Sequence, residues 1–356
     1  MSDEIGNMDP LTSFTNTSEI KMTPSLKRLS RRHFVGAAMA GIAAAGECLG
    51  AESSTVAPVR AAFRNPYVYQ FKIGELDAFS ISDCHLAFRE GLGLMWPEEE
   101  RPVMLQELVR HGEATDALPL YVNILAVRMG KEVAIFDAGF GRGNNPEMGW
   151  LMDGLAAAGI AAEEVTAGFL SHSHADHLNG FAANGKPVFP NAKVYLLEAE
   201  LNFWRGEHPD FSKSKRDKNS LPRMVQEVRE KFDALGKNLQ VVKDGAEFFD
   251  GKIRVEAAPG HTDGHACFRI RSGKEELLHL TDLAHHSLLM FADPEWTIAF
   301  DHDPVKSVVT RKKYWKQAAE QHTRCYGFHL PWPGLGRIVS TEGKAYRWWG
   351  EPSTWL

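Results

Sequence analysis

The sequence predicts an α+β fold in which two mixed sheets pack face to face with helices outside. Three observations predict it. Strand-like hairpins come first along the chain. Mixed strand–helix units follow them. Of the 356 residues, 44% are hydrophobic and 24% charged, enough to bury a full core in one large domain or two small ones.

Each element has a local reason. Tyr67–Lys72 and Asp77–Ser82 read as strands punctuated by Gly74. The stretch 95–117 is helical around Val103–His111. Leu120–Arg128 and Glu132–Phe136 form a second strand pair, turned by Met129-Gly130-Lys131. Trp150–Ala158 is a helix that Gly159 stops. Val165–Leu170 is a short apolar run and reads as a buried strand. Val194–Leu197 is a strand, and Glu198–Trp204 begins a helix. Leu221–Leu235 is the clearest amphipathic helix and ends at Gly236. Strands follow at Leu239–Val242, Ala246–Phe249, Ile253–Ala257, Ala266–Ile270 and Glu276–Leu280, before a late helix at Pro304–His322. No solenoid-length repeat is visible.

The most informative run is Ser171-His172-Ser173-His174-Ala175-Asp176-His177, with three imidazoles and one carboxylate within six residues. Neutral imidazole and carboxylate suit Zn²⁺ and neighbouring first-row metals. The run leaves a strand end, so a rigid element aims the ligands while the loop lets them converge. A net charge of −6 without a long basic stretch gives no nucleic-acid footprint.

This run resembles the signature of the metallo-β-lactamase-fold hydrolases. Four further segments resemble that family's other site loops, in order: Val133–Gly139 ending in Asp-x-Gly, Val255–His261, Leu278–Asp282 and Gly327–His329. The resemblance covers roughly residue 67 to the end and implies an αββα sandwich. It implies that His172, His174 and His261 hold one metal, that Asp176, His177 and His329 hold a second, and that Asp282 bridges them. Two divalent ions are implied, zinc first, with manganese, cobalt or iron as alternatives. The implied chemistry is attack by a metal-bridging hydroxide on an ester-like bond, with Asp176 and Asp282 as the catalytic carboxylates.

Within the family, the stretches around Phe189-Pro190-Asn191-Ala192, Glu200 to Trp204, Asp293 to Asp303 and His329 to Gly334 are similar to methyl parathion hydrolase-like enzymes and dinuclear lactonases. Trp332, the Leu178-Asn179-Gly180 ending and Thr281 before the aspartate depart from those relatives. The implied substrate is a small molecule: a phosphotriester, a lactone or an aryl ester. Alternatives are a glyoxalase II-like thioesterase, a β-lactamase, or a non-catalytic metal-binding protein of the same fold. No basic side chains for a glutathione carrier can be placed from sequence. His174 stands where redox di-iron relatives carry glutamate, which disfavours electron transfer.

Nearby residues have plainer readings. Asp137 orients a ligand, as metal-bound imidazoles commonly require, and His265 orders its loop. Asp301, His302 and Asp303 read as the N-terminal cap of the late helix. One of His285 and His286 is a candidate to face substrate, and His85 is similar. Phe203, Trp204, Met290 and Trp332 are either pocket walls or core. Cys84, Cys267 and Cys325 do not make a disulfide framework, though one pair is open. Cys267 and Cys325 read as small buried hydrophobes.

Residues 1–51 read as a signal segment and 52–66 as a linker before a domain spanning 67–356. Ser30-Arg31-Arg32-His33-Phe34 resembles a twin-arginine export signal, and the stretch to Ala51 is Ala/Gly-rich and only mildly apolar. Met22 is a candidate true start. The expected partner is the twin-arginine export machinery, the expected location periplasmic or secreted, with no stable membrane anchor; a homodimer is open. Replacing Arg31 and Arg32 with lysine should leave folded enzyme in the cytoplasm, because the signal is a receptor-read address. Unchanged export in a fractionation assay would refute the signal.

Overall fold

The computed structural model describes residues 67–89, 91–96, 101–343 and 345–352. The twin-arginine segment and the linker lie outside the described residues.

The first sheet begins with Val68–Ile73 (β1) and Leu76–Arg89 (β2), and Gly74 takes the left-handed turn between them at φ +56°. Short helices Gly91–Met95 (α1) and Arg101–Arg110 (α2) precede Ala117–Met129 (β3), which pairs antiparallel with the whole length of β2 from Asp77↔Arg128 to Arg89↔Ala117. Glu132–Phe136 (β4) follows the turn at Gly130, and Leu151–Ala157 (α3) leads to Val165–Phe169 (β5), parallel to β4. A one-turn helix, Ala175–Leu178 (α4), leads to a ribbon of Ala182–Ala183 (β6) and Lys186–Pro187 (β7). Lys193–Leu197 (β8), the helices Glu198–Arg205 (α5) and Leu221–Leu235 (α6), and Leu239–Val242 (β9) complete the sheet. Its order is β1-β2-β3-β4-β5-β8-β9.

The second sheet takes seven strands in chain order: Glu247–Phe248 (β10), Ile253–Ala257 (β11), Ala266–Ser272 (β12), Glu275–Thr281 (β13), Arg324–Gly327 (β14), Leu335–Ser340 (β15) and Tyr346–Gly350 (β16). Leu289–Ala292 (α7) and Pro304–Glu320 (α8) lie between β13 and β14, which pair in parallel across this connection.

Strand alternation divides the core into layers. On β3, Leu125 and Val127 join Phe136, Phe169, Val255, Phe268 and Tyr326 between the sheets. Their neighbours Ile124 and Ala126 turn outward to the layer under α3 and α6, with Leu155 and Phe232. A third layer holds Leu278, Leu280, Phe291 and Trp315 under α7 and α8. The architecture is therefore helix–sheet–sheet–helix. The parallel pairs β4/β5 and β13/β14 carry their C-terminal ends to the loops that hold the histidine run, Asp282 and His329, a preferred place for ligands in such sheets.

Most predicted elements are present, with three differences. β2 runs to Arg89 rather than Ser82, because β3 partners it throughout. The strand expected at Ala246–Phe249 shrinks to two residues, since Phe249 and Asp250 adopt positive φ and turn the chain. α1, α4, β6, β7, α7, β14, β15 and β16 have no counterpart in the sequence reading. Cys84, Cys267 and Cys325 are all free and buried, so the open pairing does not form. Among the described residues, no helix is long and apolar enough to cross a membrane.

Gly180 shows how tightly the histidine loop is built onto β4. Its N–H donates to Gly139 O at 3.0 Å, and an added Cβ would lie 1.8 Å from Ala138 O. Backbone atoms cannot step aside as a side chain can. Gly180→Ala should therefore destabilise the fold by at least the ~1–3 kcal/mol typical of overpacking. Gly143→Ala, with nothing within 4 Å, should be near neutral. Thermal denaturation of the two variants checks this, and equal melting points would refute the close packing.

Candidate metal centre

Five imidazoles and two carboxylates converge where the two sheets' loops meet. His172, His174 and His177 come from the β5 loop and α4, His261 from the β11–β12 loop, Asp282 from the end of β13 and His329 from the loop after β14. The donor atoms of His172, His174, His261 and Asp282 all lie within 4.8 Å of one another, as do those of Asp176, His177 and His329. Thus the structure brings together every residue of the expected ligand set.

The spacing fits cations. Four-coordinate zinc with arms near 2.0–2.1 Å has ligand–ligand edges of roughly 3.3 Å. In the first group, His174 Nδ1 lies 2.9 Å from both His172 Nε2 and His261 Nε2, and Asp282 Oδ2 lies 3.6 Å from His172 Nε2 and 3.2 Å from His261 Nε2. In the second, Asp176 Oδ2 is 3.6 Å from His177 Nε2 and 3.4 Å from His329 Nε2. Asp282 reaches this group too, with Oδ1 3.1 Å from His177 Nε2 and Oδ2 3.4 Å from His329 Nε2.

The outer nitrogens fix which atom each ring presents. Asp137 accepts from Ser171 N–H at 2.7 Å, Ser171 Oγ–H at 2.8 Å and His177 Nδ1–H at 2.8 Å. With its proton given to Asp137, Ser171 Oγ accepts from His172 Nδ1–H at 3.0 Å. His261 Nδ1–H donates to Asp301 Oδ1 at 2.9 Å, and His329 Nδ1–H to Tyr121 O at 2.8 Å. Each of these four rings therefore turns a bare Nε2 inward, as a cation requires. His174 is reversed, with Nδ1 inward.

Electrostatics ask for positive charge at the same place. Burial opposes ionisation of Asp282, but His177 foremost, then His329, His285 and His172, outweigh it and hold the carboxyl well below its usual range. Burial would lower His177, yet Asp282, Asp176 and Asp137 push it well above the usual imidazole range. His261 is similarly pushed up to about 9 against burial, by the Asp282 and Asp301 carboxylates on its two sides. His172 and His174 go the other way, burial first among the causes. Buried carboxylates facing bare imidazole nitrogens are the donor set of a divalent metal site.

Several residues act differently from their sequence reading. Asp303 caps α8, accepting from Lys306 N–H at 3.1 Å, but Asp301 is no cap: it holds His261. His302 is buried among Phe203, Trp204 and Phe211, with neither ring nitrogen bonded. His265 supports its loop as expected. Its Nδ1–H donates to Ala258 O at 2.8 Å, and its bare Nε2 accepts from Asp282 N–H at 3.1 Å. His285 reaches the centre, with Nε2 3.0 Å from Asp282 Oδ2, whereas His286 packs against Trp96 and His85 packs among Tyr67, Tyr121, Trp150 and Trp332.

Glu200 had been given no role. It is fully buried and accepts from Ser173 N–H, Trp204 Nε1–H, Thr262 Oγ–H and Gly264 N–H, tying the two histidine loops together. The Glu–Trp spacing of four at a helix start was its one local signal.

A cavity of about 740 Å³ opens over the cluster, and His174, Asp176, His261, Asp282, His285 and His329 line its floor. Leu86, Phe88, Leu120, Phe140, Met148 and Phe300 are among its walls. Trp204 and Met290 are core instead, and Phe203 packs against Trp204. Trp332 lines a separate cavity of about 840 Å³ that contains none of these donors. Arg216 and Arg223 also border the cleft, so basic groups are present where none could be placed from sequence.

A helix–sheet–sheet–helix sandwich with paired His/Asp metal-site clusters at its strand ends defines a metal-dependent hydrolase. The chain belongs to the metallo-beta-lactamase superfamily, whose profile matches residues 117–320. Among solved structures, it is similar to one described as AidC, a dizinc quorum-quenching lactonase in complex with a product, at 28% identity over 81% of this chain and 99% of that one, with a TM-score of 0.76. It is also similar to the hydrolase AbOPH of the beta lactamase superfamily, at 25% identity over 80% and 97% of the two chains, with a TM-score of 0.72. A probable metal-dependent hydrolase from Staphylococcus aureus shares the fold, at 16% identity over 80% of this chain and 100% of that one, with a TM-score of 0.60. No curated protein sequence matches.

Asp137 satisfies three donors, and an asparagine there would turn an N–H₂ toward one of them. Asp137→Asn should therefore weaken metal binding by roughly 10–100-fold, the usual cost of losing such a partner, without unfolding the protein. Competition with a fluorescent chelator measures it; unchanged affinity would refute the orienting role.

Proposed function

We propose that the chain is a dinuclear metal-dependent hydrolase that opens esters or lactones carrying an apolar tail. The observation that carries this reading is the apolar-walled cleft opening directly over the two donor groups. Likeness to a dizinc lactonase along nearly its whole length supports it and favours zinc.

In this reading His172, His174 and His261 hold one ion, Asp176, His177 and His329 the other, and Asp282 is shared. Bound there, two divalent ions supply a hydroxide nucleophile near neutral pH and polarise the scissile carbonyl. The chain's own groups do the rest. Asp282 keeps the two donor groups close, its backbone N–H held by His265 and its Oδ2 by His285. Asp176 is the least buried ligand and faces the cleft, where its carboxylate can take up the proton released by the attacking nucleophile and hand it to the leaving oxygen. The Leu86, Phe88 and Leu120 side chains exclude water from the tail of the substrate.

Protein purified without chelator should hold close to two metal ions per chain by elemental analysis. In a panel of alkyl lactones, aryl esters, phosphotriesters, thioesters and β-lactams, lactones or aryl esters should turn over fastest. Chelation should abolish the activity and zinc restore it. At saturating zinc, Asp282→Asn should lower turnover by roughly 10²-fold or more, in the range for losing one fixed electrostatic stabiliser. Preference for thioesters or β-lactams, or one metal per chain, would overturn the reading.

A further inference from the structure

His174 is the exception among the five imidazoles. The other four give their outer N–H to an acceptor within the protein. His174 turns Nδ1 inward, 2.9 Å from the Nε2 atoms of His172 and His261, so that nitrogen must be bare to hold a cation. Its proton therefore lies on Nε2. The group facing Nε2 is Arg216 Nη2, at 3.3 Å. A guanidinium has donors and no acceptor. Two donors stand side by side at the cleft, 3.3 Å apart, and neither can satisfy the other.

Arg216 itself is poorly compensated. Its guanidinium lies over the Phe300 ring, with Cζ 4.6 Å from the centroid, and its Nε is buried without a partner. No carboxylate oxygen of the described residues lies within 4.0 Å of it. Yet its loop is fixed. Lys218 Nζ donates to Phe211 O and Ser214 O, both at 2.6 Å, and the backbone N–H of Arg216 donates to Ser214 Oγ at 3.3 Å. Burial disfavours its charge, and Asp176 favours it only from beyond 4.0 Å; holding a half-buried arginine in a formed loop over an apolar ring costs free energy unless an acceptor meets it.

We infer that Arg216 and the His174 Nε2–H form a two-donor recognition site for an sp² oxygen of the substrate, next to the scissile bond. The inference rests on the hydrolase reading above and narrows it: the preferred ester or lactone carries a second carbonyl or carboxylate oxygen, such as an acylamino group. A plain alkyl lactone would reach the centre but leave both donors unpaired. Such a site discriminates strongly, because a substrate lacking the acceptor leaves buried polar groups unsatisfied.

The test uses the zinc-loaded protein and the Arg216→Gln and Arg216→Lys variants. N-hexanoyl-homoserine lactone is compared with a plain alkyl lactone of matched length. In Arg216→Gln, KM for the acylamino lactone should rise at least tenfold more than KM for the alkyl lactone, and Arg216→Lys should recover part of the difference. Calorimetric binding of the ring-opened N-hexanoyl-homoserine supplies a readout without turnover. Its Kd should weaken about tenfold in Arg216→Gln while zinc content stays the same. Ring-opened and closed forms separate a carboxylate partner from an amide carbonyl. Equal KM changes for both lactones with unaltered product binding would overturn the inference. So would loss of zinc in both variants, which would make Arg216 a support for His174. If the wild-type protein hydrolyses neither lactone, the hydrolase reading fails by itself, and the calorimetric arm still decides whether Arg216 binds the acceptor.

Discussion

The site depends on one buried carboxylate. Asp282 stands within 3.6 Å of imidazole nitrogens from His172, His177, His261, His285 and His329. These rings come from separate loops, and several would repel one another if charged. A carboxylate taken out of water is costly unless opposite charge and hydrogen bonds surround it. Here the neighbours do so well enough to hold it ionised despite full burial. The demand runs outward from there: both sheets must deliver their loops to one point, and the register of β13 against β12 and β14 must place residue 282 at the strand end.

Reaching that point requires backbone conformations that side chains resist. Asp137, just past β4, has φ +62°, and Thr281, the last residue of β13, has φ +47°. Aspartate tolerates the left-handed region; a β-branched threonine does not do so readily, and such strain costs about 1–3 kcal/mol. Glycine would avoid it. Thr281 is held by its hydroxyl, whose one proton has three acceptors at 2.8 Å: His265 Nε2, Ala266 O and Leu280 O. The strain thus falls at Asp137 and beside Asp282, and polar contacts of the strained residues offset it.

What could be read from sequence was whatever is local. The histidine run is legible because four ligating residues are close in the chain and the strand before it is a short apolar block. Asp282 and His329 were legible only through likeness to family loops, since neither stands in a dense local pattern. Asp301 was misread because Asp-His-Asp before a proline has the look of a helix start; Asp303 does cap α8, and only the fold reveals that Asp301 points back across 40 residues to His261. β14 to β16 were missed because β14 is only four residues long and β15 and β16 mix apolar with exposed positions, so periodicity is faint. Arg216 was invisible. It lies in Ser-Lys-Ser-Lys-Arg-Asp-Lys, a stretch whose composition says solvated loop, and only the placement of Phe300 and His174 turns it inward.

The supports around the cluster divide by origin. Asp137, Ser171, Asp301, His265 and Glu200 are buried, and each is bonded to backbone or side chains that the sheets and helices fix. The cleft walls come from elsewhere: the far ends of β2 and β3, the 140–148 loop and the segment between α5 and α6. Their side chains can change without loosening these supports, because none of them supplies a hydrogen bond to Asp137, Asp301 or Glu200; β3 alone also orients a ligand, through Tyr121 O and His329. The donor cluster and the cleft walls are thus built largely from different parts of the chain, and they meet at one ring. His174 turns Nδ1 to the cluster and Nε2 to the cleft, so under the proposed recognition a substrate oxygen at Nε2 would be placed by an imidazole of the centre itself. Orientation of the scissile bond against the cluster would then follow from the rigidity of one side chain rather than from closure of a loop.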